Sequence, residues 1–183
     1  MMSRVAGAVV AATIGLQASI AGAQQSDNQV AAKTDWAVFM EETPKACWSV
    51  SAPEKTVNTR NGNVVSVSRG DILLFVFYRP EAGAEGQVTF TGGYPFADGS
   101  NVTVDIGGTK FEMFTQNIRD KGGELVGWAW PTSPAEDAKM VAAMKRGAEA
   151  VLTARSSRGT QTQDTFSLLG FTAALEEAQG RCK

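Results

Sequence analysis

Residues 156–175, SSRGTQTQDTFSLLGFTAAL, are the stretch of the 183-residue chain whose residue types first suggest chemistry. Ser156, Ser157, Thr160, Thr162, Thr165 and Ser167 supply hydroxyls, while Arg155, Arg158 and Asp164 supply charge. A serine nucleophile needs a base within hydrogen-bond reach to take its proton. The chain has no histidine, which removes Ser-His-Asp and Cys-His systems and every histidine-based metal site. Lysine is then the base to consider, and no S-x-x-K occurs anywhere in the sequence. The plainer reading is a half-exposed strand pair along which hydroxyls and charges alternate. Arg158-Gly159 forms its turn, and threonine is favoured there for β-propensity alone.

Other constellations divide in the same way. The carboxylate pairs Glu41-Glu42 and Glu136-Asp137 are the residue types a carboxylate-only hydrolase would use. Strand-end solvation and helix N-terminal electrostatics account for them more simply. Asp98-Gly99-Ser100-Asn101 with Asp105 offers oxygen ligands but lacks the closing glutamate of a calcium loop, and is read as a turn. Arg69-Gly70-Asp71 spells an adhesion tripeptide, yet it joins two apolar runs, where Gly70 suits a tight connection. Of the four tryptophans, Trp128 and Trp130 lie two apart and share one face of a strand. Core packing is the common fate of such residues; exposed together, they would form a ligand-stacking surface. Trp128, Trp130, Arg158 and Asp164 are therefore the candidate partner or ligand contacts. No catalytic residue, metal-ligand set or cofactor is assigned.

The N-terminus fixes the expected compartment. Arg4 precedes a small, apolar run from Val5 to Leu16, which is too short to span a bilayer with ease. Ala21-Gly22-Ala23 and a polar stretch follow, so residues 1–23 are expected to be a secretory leader cleaved after Ala23. The mature chain would keep 160 residues, enough for one domain over 34–183 behind a flexible lead-in at 24–33. Its location would be periplasmic or secreted, with no transmembrane segment. Loss of Arg4 leaves 16 of the 17 basic residues against 19 acidic ones, a balance that does not suggest nucleic acid. Two cysteines, Cys47 and Cys182, stand near opposite ends of the mature chain. In an oxidising compartment an isolated pair forms a disulfide most simply; a reactive dithiol competes, but there is no C-x-x-C.

The elements that must position these residues are mostly short strands. Strands are expected at 36–40, 46–50, 64–68, 72–78, 88–91, 102–106, 110–114, 125–130, 148–154 and 162–168. Ile72–Tyr78 is apolar on both faces, as in a central strand. Gly107-Gly108 marks a hairpin. Ser133-Pro134-Ala135-Glu136 reads as a capping box opening a helix over about 134–146, and a shorter helix is expected over about 170–179. Many strands with two late helices predict a mainly β protein, a β-sandwich with helical decoration.

Five stretches then carry a family resemblance: CW at 47–48, TGGYPFADGSNVTVDIGGTKFEMF at 91–114, WAWP at 128–131, AAMKRGAEAVL at 142–152, and the stretch quoted first, with Cys182 close behind. In order and spacing they are similar to the invasion associated locus B (IalB) family of alphaproteobacteria. That resemblance implies an exported protein with an immunoglobulin-like β-sandwich. The family's name comes from host-cell invasion, and it has no established catalytic residues to carry over. The expected function is an exported, non-enzymatic interaction protein with an unknown protein partner. The alternatives are a small-ligand or carbohydrate-binding module and a carboxylate-only hydrolase.

Overall fold

The computed structural model describes residues 28–183; the expected leader, its cleavage point and residues 24–27 lie outside the described residues. The chain is mainly β, an antiparallel sandwich with two helices. The strands are β1 (Gln29–Lys33), β2 (Trp36–Glu42), β3 (Lys45–Ser51), β4 (Lys55–Arg60), β5 (Asn63–Val64), β6 (Leu73–Arg79), β7 (Ala84–Thr91), β8 (Asn101–Ile106), β9 (Thr109–Arg119), β10 (Leu125–Trp130), β11 (Glu149–Arg155) and β12 (Gln161–Ser167). The helices are α1 (Pro134–Met144) and α2 (Phe171–Arg181). All strands hydrogen-bond in one order, β1-β2-β3-β6-β7-β10-β9-β8-β11-β12-β4-β5. That continuous sheet folds over so that β7 faces β12 across the core, where Phe90 meets Phe166 edge-on at 6.1 Å.

Period-two alternation decides which side chains reach the core. Along β6, Leu74, Val76 and Tyr78 are buried, while Leu73, Phe75 and Phe77 turn to the outer face. Those outer residues are only half-buried, so β6 is central in the sheet yet covered by core on one face. The outer face instead carries an aromatic row: Phe39 stacks on Trp48, Trp48 meets Phe77, Phe77 meets Phe75, and Phe75 meets Trp128. Trp36 alone of the four tryptophans lies in the core, 4.9 Å from Phe171 of α2.

Both helices start near their expected positions and do different work. Ser133 accepts a hydrogen bond from the Glu136 amide at 3.3 Å, and the Glu136 carboxylate pairs with Lys139 at 2.7 Å. α1 packs beside β7 where the ladder to β10, which spans Phe90 and Thr91, has stopped. There Asp137 accepts from the Val88 amide at 2.8 Å, supplying a partner that no strand provides. α2 lies against β1, β2 and β3, with Phe171, Ala174, Leu175 and Ala178 buried. Gly170 opens it with φ +84°, and a Cβ there would sit 2.0 Å from the Lys33 carbonyl oxygen, so glycine permits both the turn and the close approach.

Three expectations need correction. Residues 29–33 are not a flexible lead-in but strand β1, because their backbone pairs with β2 and α2 packs against them. Residues 55–60, to which the sequence reading assigns no element, form β4 by pairing with β12. Residues 64–68 were expected as a strand, but only Asn63–Val64 pair, with β4, and the chain then leaves the ladder.

Cys47 and Cys182 are joined, with Cα atoms 5.8 Å apart. The bond fastens the end of α2 to β3 and closes a loop of 135 residues. In the loop-entropy model such a closure contributes about 4–5 kcal/mol. Replacing both cysteines with serine is therefore expected to lower the unfolding free energy in urea by roughly that amount. Equal stability of the two forms would show that the crosslink constrains nothing.

Candidate functional site

A groove of about 1000 Å³ opens beside the segment that leads from β5 to β6. Ser66, Val67 and Ser68 line it, as do Leu125, Val126 and Trp128 from β10 and Ser157, Arg158 and Thr160 from the β11–β12 turn. Tyr94 and Thr162 also border it. Two elements far apart in sequence are thus held face to face, and polar ties between them hold the arrangement.

The central tie is Arg69 to Asp164. The guanidinium donates to both carboxylate oxygens, at 2.7 and 2.6 Å, and its Nε donates to the Gly92 carbonyl at 2.8 Å. The side chains are 7% and 0% exposed, and the guanidinium lies 4.9 Å from the centre of the Tyr94 ring. This planar fork is a geometry that arginine supplies and lysine does not. Burial pushes the Asp164 carboxyl up from its ordinary value, against the lowering pull of Arg69. Next to Arg69, Gly70 donates to the Gly93 carbonyl at 2.9 Å. A Cβ on Gly93, whose φ is +72°, would meet the Gly70 carbonyl at 2.4 Å. The Arg69-Gly70-Asp71 tripeptide is therefore a pinned connection, not a protruding loop tip.

Four of the six hydroxyls named from the sequence in the 156–167 stretch are engaged in structural bonds. Ser156 accepts from the Thr160 amide, Thr160 accepts from Arg60 at 2.6 Å, Thr162 bonds Tyr94, and Ser167 donates to Asp35 at 2.6 Å. Gly159, with φ +79°, turns the chain at the tip. Ser156, Thr160, Thr162 and Ser167 each have a structural partner, as the strand-and-turn reading expects.

Of the four candidate contacts, two meet at the groove and two do not. Trp128 and Arg158 both line it. Asp164 is corrected from contact to foundation, since it is wholly buried and both its oxygens are occupied by Arg69. Trp130 packs edge-on against Phe114 at 4.6 Å, away from the groove lining. Neither carboxylate pair singled out from the sequence lines the groove; Asp71, Asp120 and Glu124 do. Arg69 is the residue that sequence reasoning missed. A signal was available: Thr162, Asp164 and Phe166 share one strand face, so a carboxylate there is a buried charge that requires a cation.

Comparison with known proteins gives one family. Residues 36–179 match the family described as invasion associated locus B (IalB) protein. Among solved structures, the fold is similar to that of invasion associated protein b from Bartonella henselae, with a TM-score of 0.50 and 16% identity. That likeness covers 82% of this chain and 95% of the Bartonella chain. No curated protein matches.

The two tyrosines of the chain report on this packing. Burial pushes the Tyr94 hydroxyl up to about 12, although its bond to Thr162 and the nearby Arg69 pull it down. Burial, with Glu85 adding, also raises Tyr78. A folded-state value above the unfolded one means that the native chain keeps protons the unfolded chain releases. Stability should therefore fall as pH rises from about 10 towards about 12. A spectrophotometric titration is expected to show neither tyrosine ionising at the ordinary value of 10.0 while the protein is folded. In denaturant both should ionise normally. A native tyrosine titrating at that ordinary value would contradict the buried placement.

Proposed function

On the premise that the chain belongs to the invasion associated locus B (IalB) family, we propose that it is an exported interaction protein that recognises a partner and does not catalyse a reaction. The observation that carries this reading is the composition of the groove. Trp128, Leu125 and Val126 give it an apolar lining, and Arg158 stands exposed beside them with no ion-pair partner among the described residues. Aromatic and arginine side chains set together in a depression are the residue types that dominate binding energy at interfaces. The buried hydroxyls nearby are committed to structural bonds, which supports recognition over nucleophilic chemistry.

Export is supported by the leader pattern in residues 1–23 and by the disulfide, a bond favoured outside reducing compartments. Among the described residues no helix is long and apolar enough to cross a membrane. An association with invasion comes from the family name alone. A small-ligand or carbohydrate-binding role is the second reading, favoured by Trp128 at the groove and by a volume at the upper end of small-molecule sites.

The test is affinity capture from periplasmic extract with the mature protein, alongside the Trp128→Ala and Arg158→Glu variants and a reduced sample. A protein retained by the native form and reduced about tenfold by either variant, as expected when an interface anchor is lost, is the predicted result. Absence of any specific protein, or equal retention by all forms, would overturn the reading. Saturable binding of an oligosaccharide lost in Trp128→Ala, with no protein captured, would establish the second reading instead.

A further inference from the structure

The sheet ends in β1 on one side and β5 on the other. An edge strand presents unpaired N–H and C=O groups, which proteins usually guard with charge, proline or a covering element. From Asn61 to Ser68 the sequence is NGNVVSVS, without a charged residue or a proline. The Val65 amide still donates to Asn58 at 2.9 Å. Beyond it, the backbones of Ser66, Val67 and Ser68 make no hydrogen bond with any other described residue. The stretch nevertheless keeps strand alternation, with Val65 and Val67 half-buried and Ser66 and Ser68 exposed. Val64, just before it, is 77% exposed. By composition this is a β-strand, and the fold leaves it without a second strand to pair with.

The same three residues line the groove that holds Trp128, Leu125 and Arg158. We propose that this edge is a strand-addition site: an extended segment of a partner protein pairs its main chain with Ser66–Ser68 and seats side chains in the groove. In strand addition, backbone bonds give affinity and pockets for alternate side chains give specificity. Here the pocket asks for an aromatic or branched aliphatic side chain against Trp128 and Leu125. By charge complementarity the unpaired guanidinium of Arg158 asks for a carboxylate beside it, while Asp71, Asp120 and Glu124 elsewhere on the lining keep the segment from being acidic throughout. The proposal rests on the reading of the groove as a recognition site and adds the mode of binding and the chemistry of the partner.

The probe is a phage-displayed library of random linear peptides, selected on the mature disulfide-bonded protein. An enriched peptide is then synthesised and its Kd measured by fluorescence anisotropy. Enriched sequences are expected to combine β-branched or aromatic residues with at least one Asp or Glu. N-methylation of the peptide's central amides, which leaves side chains intact, should weaken binding by about tenfold or more, the scale of a lost backbone bond. Val67→Pro should do the same from the protein side, because proline donates no hydrogen bond. If that variant does not fold, the N-methylated peptide decides alone.

Failure to enrich any peptide, or binding indifferent to N-methylation, overturns strand addition. Where such binding is still lost in Trp128→Ala, or where a captured protein depends on Trp128, the recognition reading survives and only the mode fails. A concentration-dependent dimer of the native protein, abolished by Val67→Pro, would place a second copy on this edge and likewise overturn a separate partner.

Discussion

A buried guanidinium–carboxylate pair is the constraint on which the groove depends. Arg69 leads from the open edge into β6, and Asp164 lies in the middle of β12. Removing both charges from water costs several kcal/mol each, a cost that only close bidentate geometry and further hydrogen bonds offset. The bonds to Gly92 and Asn58 supply that remainder. Burial pushes the Asp164 carboxyl up while Arg69 pulls it down. A buried pair of this kind defines position more than it adds stability. With Arg69 held there, Gly70 meets Gly93 and Tyr94 is seated beside Thr162; among the described residues the 65–71 segment is otherwise tied by the backbone bonds of Val65 to Asn58 and of Gly70 to Gly93.

The disulfide answers the pair from the other end of the molecule. Cys47–Cys182 binds α2 to β3, and Trp36 ties the same region to β12 through a 3.0 Å bond to the Ser167 carbonyl. Between these fastenings runs the hydroxyl-rich stretch, joining one element after another: Arg60 of β4 at Thr160, Tyr94 at Thr162, Arg69 at Asp164 and Asp35 at Ser167. What resembles a cluster of reactive groups is a row of buried joints. Their polarity is costly inside a protein unless each group is paired, and here the pairings link strands remote in sequence.

Legibility in the sequence followed the strength of local signals. β10 was bounded correctly by its alternation and by Pro131, the Gly107-Gly108 hairpin closed between Ile106 and Thr109, and Ser133 capped α1. β4 escaped because Lys55, Thr56, Asn58, Thr59 and Arg60 surround a single apolar residue; its pairing with β12 comes from tertiary context. β1 escaped for the same reason, with alanines where branched residues would have spoken. The overextended strand at 64–68 is the informative error. Its local grammar is that of a strand, and beyond Val65 the fold declines to pair it. At the site, Trp128 and Arg158 were legible by residue type, whereas Arg69 required knowing what faces Asp164.

The central claim, that Arg69 and Asp164 position the groove and do little for net stability, is tested most directly by a urea-unfolding double-mutant cycle. Asp164→Leu alone, or Arg69→Met alone, should lower the unfolding free energy by about 3–5 kcal/mol, because each leaves an unpaired buried charge. The account predicts that Arg69→Met combined with Asp164→Leu recovers most of that loss. Single losses below about 1 kcal/mol, the range of an exposed pair, or a double variant as unstable as the two single losses added together, would contradict it.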